Sequence, residues 1–91
     1  MRESFNEFCK LCSQIESEED LKKFFSLILT LEEQAALGAR LVIIKALIEG
    51  KLSQRQIAAT YKVSIAQITR GSNALKIIDR KLYKLLEKQV K

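Results

Sequence analysis

The chain has no histidine, no proline and no tryptophan, and only three glycines, two cysteines and one methionine in 91 residues. Without histidine, the commonest general base at neutral pH and the commonest metal ligand are both missing. Cys9 and Cys12 make a single Cys-x-x-Cys with no second pair, so a zinc site lacks its ligands and no metal is expected. Three residues apart, the two sulfurs fall on one helix face with Phe5 and Phe8. That favours packing over redox chemistry, since no strand–helix–strand pattern surrounds the pair. No catalytic residue stands out, and an enzyme is not expected. Without proline, and with so little glycine, nearly every segment is free to be helical. No apolar run approaches the ~20 residues of a membrane span, and no charged-then-apolar leader opens the chain. A cytoplasmic protein with no membrane partner is expected.

What is present is apolar and basic. The length suits one domain, residues 1–91, and a chain of this size buries only about 60% of its unfolded surface as a monomer. Yet 47% of the residues are hydrophobic, ample for a helical protein with an interface, so a stable oligomer is expected. Sixteen Lys and Arg against eleven Asp and Glu give a net charge of +5. This excess suits a polyanion such as nucleic acid, but it fits an ordinary basic surface equally well.

The helix starts are marked by capping boxes, in which a Ser or Thr and a Glu or Gln three residues later satisfy two orphan amides reciprocally. Ser4 with Glu7, Thr30 with Glu33, Ser53 with Gln56 and Ser64 with Gln67 fit the pattern. Ser17 followed by Glu18, Glu19 and Asp20 is a weaker start with acids that suit the helix dipole, and Asp79 is a cap for the last segment. Apolar residues between these points recur at helical spacing. The first helix has Phe5, Phe8, Leu11, Cys12 and Ile15, and the second has Leu21, Phe24, Phe25, Ile28 and Leu29. The long third has Leu37, Leu41, Ile44 and Ile48 on its core stripe and stops at Gly50 in a left-handed turn; the last has Leu82, Leu85, Leu86 and Val90. The pattern predicts an all-α fold of about six helices.

One segment carries more than core. From Ser53, the run QRQIAATY makes a helix of about two turns that ends at Lys62-Val63, and Ser64 caps a second helix within three residues. Two helices so short and so tightly joined must cross steeply around a small wedge, here Ile57, Tyr61, Val63, Ile65 and Ile68. The second helix presents Ala66, Gln67, Thr69, Arg70 and Asn73 away from its apolar side. Short, amide and cationic side chains of this kind suit base edges and phosphates in a major groove. An ordinary helical hairpin with a polar face would show much of the same pattern. Two further residues are out of place. Gly71 costs ~1 kcal/mol against Ala inside a helix, so a ligand or another backbone is expected to approach it closely. Arg40 stands at the margin of a buried face, where it either snorkels past the core or lines a pocket.

Residues 27–76, LILTLEEQAALGARLVIIKALIEGKLSQRQIAATYKVSIAQITRGSNALK, resemble the Trp repressor family, most specifically at ALGAR, LSQRQI and ITRGSNALK. The resemblance implies an intertwined helical homodimer that binds palindromic operator DNA through a helix-turn-helix at residues 53–76. L-tryptophan would be its corepressor, and genes of tryptophan biosynthesis or transport would be repressed. It implies that the indole lies between Arg40 and Arg70, with Gly71 giving it room. Thr30 and the carbonyls of Leu27 and Leu29 would hold the amino-acid end. Gln54, Arg55, Ile65, Ala66, Thr69, Ser72, Asn73 and Lys76 match the family's contact positions on double-stranded DNA. The chain departs from the family pattern at three positions. Ala74 stands where a serine contacts the tryptophan ammonium, Ala58 where a lysine lies near the phosphates, and Gln67 where a threonine lies on the groove face. Two alternatives remain: a regulator of the same fold that does not use tryptophan, and a helical dimerisation protein that does not bind DNA.

Overall fold

Five of the six helix starts lie at the marked caps. The computed structural model describes residues 1–90, in which six helices and no strand occur: α1 (Arg2–Gln14), α2 (Glu18–Ile28), α3 (Leu31–Glu49), α4 (Gln54–Tyr61), α5 (Ile65–Lys76) and α6 (Arg80–Val90). The fold is all-α, as the periodicity predicts. Thr30 and Glu33 exchange backbone-to-side-chain hydrogen bonds of 2.8 and 3.1 Å ahead of α3. Ser53 with Gln56 and Ser64 with Gln67 close complete capping boxes on α4 and α5. Ser17 accepts the amide of Asp20, and Asp79 accepts the amide of Leu82 at 3.1 Å. The start assigned to Ser4 and Glu7 is corrected. The amide of Phe5 already bonds the carbonyl of Met1 at 3.1 Å, so α1 begins upstream with no side-chain cap. Arg2 and Glu3 are ordinary helix formers, and nothing forces the chain to wait for Ser4.

The chain divides into two compact units, one of residues Met1–Gln34 and one from Ala35 onward. The first is held by aromatic rings. Phe8 of α1 stacks on Phe24 and Phe25 of α2 at centroid distances of 5.5 and 6.0 Å, and Phe5 joins at 6.4 Å. On α1, Cys12 is half-buried while Cys9 is exposed, and both are free thiols.

The second unit has a small core in which only Ile43, Ala46, Ile57 and Ile68 are buried, with Leu47, Leu52, Ala58 and Val63 packed around them. Two expectations are corrected here. Leu37 and Leu41 are exposed and Ile44 and Ile48 only half-buried, whereas Ile43 and Ala46 form the buried line of α3. The helix is apolar on nearly every side, so its periodicity singles out no face; the docking of α4 and α5 decides. In the wedge, Ile57 and Ile68 are fully enclosed and Val63 closes the angle between them, but Tyr61 and Ile65 are exposed. Ile57 and Ile68 fill the core against Ile43 and Ala46 of α3, which leaves Tyr61 and Ile65 on the outer sides of their helices. Gly50 ends α3 at φ +72°, the left-handed turn expected of it. No helix of the described residues is long and apolar enough to cross a membrane.

Candidate nucleic-acid interface

The joint between α4 and α5 is made by three residues. Lys62 takes the left-handed conformation (φ 56°, ψ 47°), and the amide of Val63 reaches back to the carbonyl of Ala58 at 3.2 Å. Ser64 then turns extended (φ −82°, ψ 154°) to cap α5. Lys62 is the only non-glycine residue at positive φ in residues 1–90. For an L-residue that conformation costs about 1–2 kcal/mol. Sequence reading missed this feature, because a lysine between Tyr61 and Val63 announces neither a turn apex nor strain.

Along α5 the buried line runs through Ile68, with Gly71, Ser72 and Leu75 half-buried beside it. Ala66, Thr69, Arg70, Asn73 and Lys76 are exposed on the far side. A helix turns about 100° per residue, so this exposed face has two flanks. Ile65, Thr69, Asn73 and Lys76 share one, and Arg70, Ala74 and Gln67 share the other, with Ala66 between. Gln67 is exposed on the second flank, and its side-chain oxygen accepts the amide of Ser64 at 2.9 Å. Gln54 and Arg55 are exposed in the first turn of α4. Ile65, half exposed, offers an apolar contact beside these polar groups, of the kind a thymine methyl accepts.

The candidate ligand residues fall in both units. From Ala35 onward, Arg40, Arg70 and Ala74 are exposed and Gly71 is half-buried. A Cβ on Gly71 would lie 3.1 Å from Cγ2 of Ile43 and 3.5 Å from the Cδ1 atoms of Ile44 and Leu47. The close approach that this glycine permits is thus between α5 and α3. Arg40 lies one turn before Ile43 and Ile44 and two before Leu47, in register with the same face of α3. In the first unit, Leu27 lies in the last turn of α2, where carbonyls run out of amides ahead of them and the helix dipole is negative. Leu29 follows as the C-cap, its carbonyl 3.4 Å from the side-chain amide of Gln34. The hydroxyl oxygen of Thr30 accepts the amide of Glu33 and keeps its own proton to donate.

Charge is divided between the units more sharply than the total indicates. Residues 1–34 carry four Lys and Arg against eight Asp and Glu, net −4; residues 35–91 carry twelve against three, net +9. The helix pair with the polar exposed face belongs to the strongly basic part.

A compact pair of capped helices, buried on one side and polar on the other, is the build of a helix-turn-helix regulator. A family model described as Trp repressor protein matches residues 3–90. A Trp operon repressor homolog from Chlamydia trachomatis serovar D is 49% identical over 83 residues, which cover 91% of this chain and 88% of that protein. A homolog of the same description from Chlamydia caviae is 48% identical over 83 residues, 91% of this chain and 82% of that protein. One from Haemophilus influenzae strain PittEE is 38% identical over 77 residues, 85% of this chain and 76% of that one. The chain belongs to the Trp repressor family, whose members are transcription regulators and not enzymes.

Proposed function

We propose that this chain is a tryptophan-responsive repressor that binds a palindromic operator as a homodimer in the cytoplasm and silences tryptophan biosynthesis or transport genes. The observation that carries the reading is the α4–α5 pair. One flank of α5 (Ile65, Thr69, Asn73, Lys76) has the chemistry of a major-groove reader, and the other (Arg70, Ala74) lies beside the contact with α3. Dimerisation is supported by how little the chain buries alone. Four buried hydrophobic residues stand against thirteen large exposed ones, among them Phe5, Leu27, Leu31, Leu41 and Leu85. A second copy is the natural cover for such a surface.

The donor set fits L-tryptophan. The guanidinium planes of Arg40 and Arg70 are able to stack on both faces of an indole. The carbonyls of Leu27 and Leu29, at the negative end of α2, suit its ammonium, and the free hydroxyl proton of Thr30 suits its carboxylate. In the dimer these last three residues would come from the partner. Arg70 lies on α5 itself, so a ligand held there biases the tilt of the reading flank, a population shift set by its differential affinity. The two reading helices of the dimer would then address half-sites about 34 Å apart, a helix-turn-helix rule for which the Trp repressor is itself one of the type cases.

The test is operator selection. A random duplex pool is passed over the protein with and without L-tryptophan, and the recovered sites are titrated. A palindromic site bound at least tenfold more tightly with tryptophan is expected. A site bound equally without it would favour a regulator of the same fold with no tryptophan response. No site at any salt would favour a dimerisation protein instead.

A further inference from the structure

The cationic surface does not end with the recognition helix. Between the end of α5 and α6 lies a groove of about 390 Å³ lined by Lys76, Arg80 and Lys84, with Tyr83 at its wall and one carboxylate, Glu87. Its cations are placed against the interest of the fold. Arg80 and Lys81 stand in the first turn of α6, at the end where the helix dipole repels a cation, and the acid nearest to them, Asp79 at the cap, accepts the amide of Leu82. Arg80 and Lys84, Lys81 and Lys84, and Lys84 and Lys88 are like-charged neighbours three or four residues apart, each pair unfavourable by about 0.2–0.5 kcal/mol. On α2 the opposite holds, with Lys22 and Lys23 each four residues after an acid, at 3.1 and 3.8 Å. In the groove itself three cations, Lys76, Arg80 and Lys84, face one carboxylate, Glu87.

We infer that the α5–α6 groove is a second nucleic-acid contact, which holds the phosphate backbone of the duplex flanking the operator through Arg80 and Lys84. Lys76 joins the two surfaces, since it belongs both to the reading flank of α5 and to the groove. One phosphate at Arg80 and a second at Lys84 relieve the repulsion between the two cations, so the arrangement that is unfavourable in the free protein becomes favourable in the complex. This contact would be blind to sequence. It rests on the operator-binding reading, and its effect is on affinity and salt dependence alone.

The experiment uses the full chain with L-tryptophan and the duplex recovered by selection, in a short form covering the palindrome and a long form with ten extra base pairs of unrelated sequence on each side. The wild-type protein is expected to bind the long form more tightly, with a salt slope steeper by about 1.8 per bound chain for two neutralised phosphates. Across a fourfold change in salt that slope amounts to roughly tenfold in affinity per chain. The Arg80→Gln/Lys84→Gln variant should lose this length advantage and its extra slope, yet keep its affinity for the short form and its response to tryptophan. Arg80→Lys/Lys84→Arg should retain both, and circular dichroism should find all three proteins equally helical. If the glutamine variant keeps the full length advantage, the groove does not touch DNA and the inference falls while the operator-binding reading stands. If it loses the short form as well, the two residues support the fold or the operator site, and a separate flanking contact is refuted. If the wild-type protein recovers no duplex, both readings fall together.

Discussion

Replacing Gly71 by alanine sets two opposed effects against each other. Alanine in a helix interior is favoured over glycine by about 1 kcal/mol. Against this, the new Cβ would stand 3.1 Å from Cγ2 of Ile43, tight enough that one of the two must give by a few tenths of an ångström. The Cδ1 atoms of Ile44 and Leu47, at 3.5 Å, are in ordinary contact and end flexible chains. Cγ2 of Ile43 has no such freedom: it sits directly on Cβ, and a β-branched residue in a helix keeps one rotamer about 90% of the time. Ile43 is also among the four buried residues of its unit, so the backbone of α3 or α5 must shift. Overpacking of this kind costs about 1–3 kcal/mol, which leaves Gly71→Ala destabilising by about 1 kcal/mol. Leucine has no Cγ2, and Ile43→Leu conserves volume at a cost under about 1.5 kcal/mol. In that background Gly71→Ala should become stabilising by about 1 kcal/mol, a coupling of about 2 kcal/mol in the double-mutant cycle. Urea unfolding followed by circular dichroism measures all four proteins, at one protein concentration because association would shift the midpoint. If Gly71→Ala has the same effect in both backgrounds, Ile43 does not set the spacing of α5 on α3. The glycine would then owe its place to a ligand alone.

Three other outcomes follow from local geometry. Lys62→Gly relieves the left-handed backbone but adds chain entropy to the unfolded state, so the stability measured by urea unfolding should rise by about 0.5–1 kcal/mol; a fall would mean that the lysine side chain itself holds the turn. Ser64→Ala removes the acceptor for the amide of Gln67 and should lower stability by about 1 kcal/mol, with a larger loss in operator affinity than Ser53→Ala, because the reading flank lies on α5. Ala74→Ser, on the flank shared with Arg70, should tighten L-tryptophan several-fold, about 1 kcal/mol for a hydroxyl contact to its ammonium that water already fills in part. Indole-3-propionate, which lacks the ammonium, should be unaffected, and calorimetry showing an equal gain for both ligands would turn Ala74 away from the ammonium.

The elements of the fold were legible where local chemistry decides them. A serine, threonine or aspartate that caps a helix acts over three residues, so Ser17, Thr30, Ser53, Ser64 and Asp79 could be read directly from the chain. Ser4 misled because a cap pattern says where a helix is able to start, while Arg2 and Glu3 let it start sooner. Burial was less legible, since it is a property of contacts between distant segments. Ile43 and Ile44 are equally apolar neighbours on a helix apolar all round, and only the position of α5 makes the first buried and the second half-buried. The exposed face of α5 could be read from spacing, but its two flanks could not. Separating Gln67 from Thr69 and Asn73 needed the buried line through Ile68, and the division of charge between −4 and +9 was hidden in a single total.

The exposed apolar residues are not spread evenly along the chain. Phe5, Leu11, Leu27, Ile28 and Leu31 belong to α1, α2 and the start of α3, and Leu37, Leu41, Leu82 and Leu85 to α3 and α6. The reading pair exposes only Tyr61 and Ile65 among its large hydrophobic residues. Its own wedge is complete within one chain, because Ile57 and Ile68 are fully enclosed by α3 and the turn residue Val63. On the proposed reading, a second copy would cover the apolar faces of the other helices and leave α4 and α5 outside, resting on α3 through the small core shared with Ile43 and Ala46 and the close approach at Gly71. On the same reading, a helix pair that shares so small a core with α3 would be able to change its tilt without unfolding. Stabilising that contact should therefore reduce the difference in operator affinity with and without tryptophan. Loosening it should lower affinity in both states, because the flank that reads the groove would no longer be held at one angle.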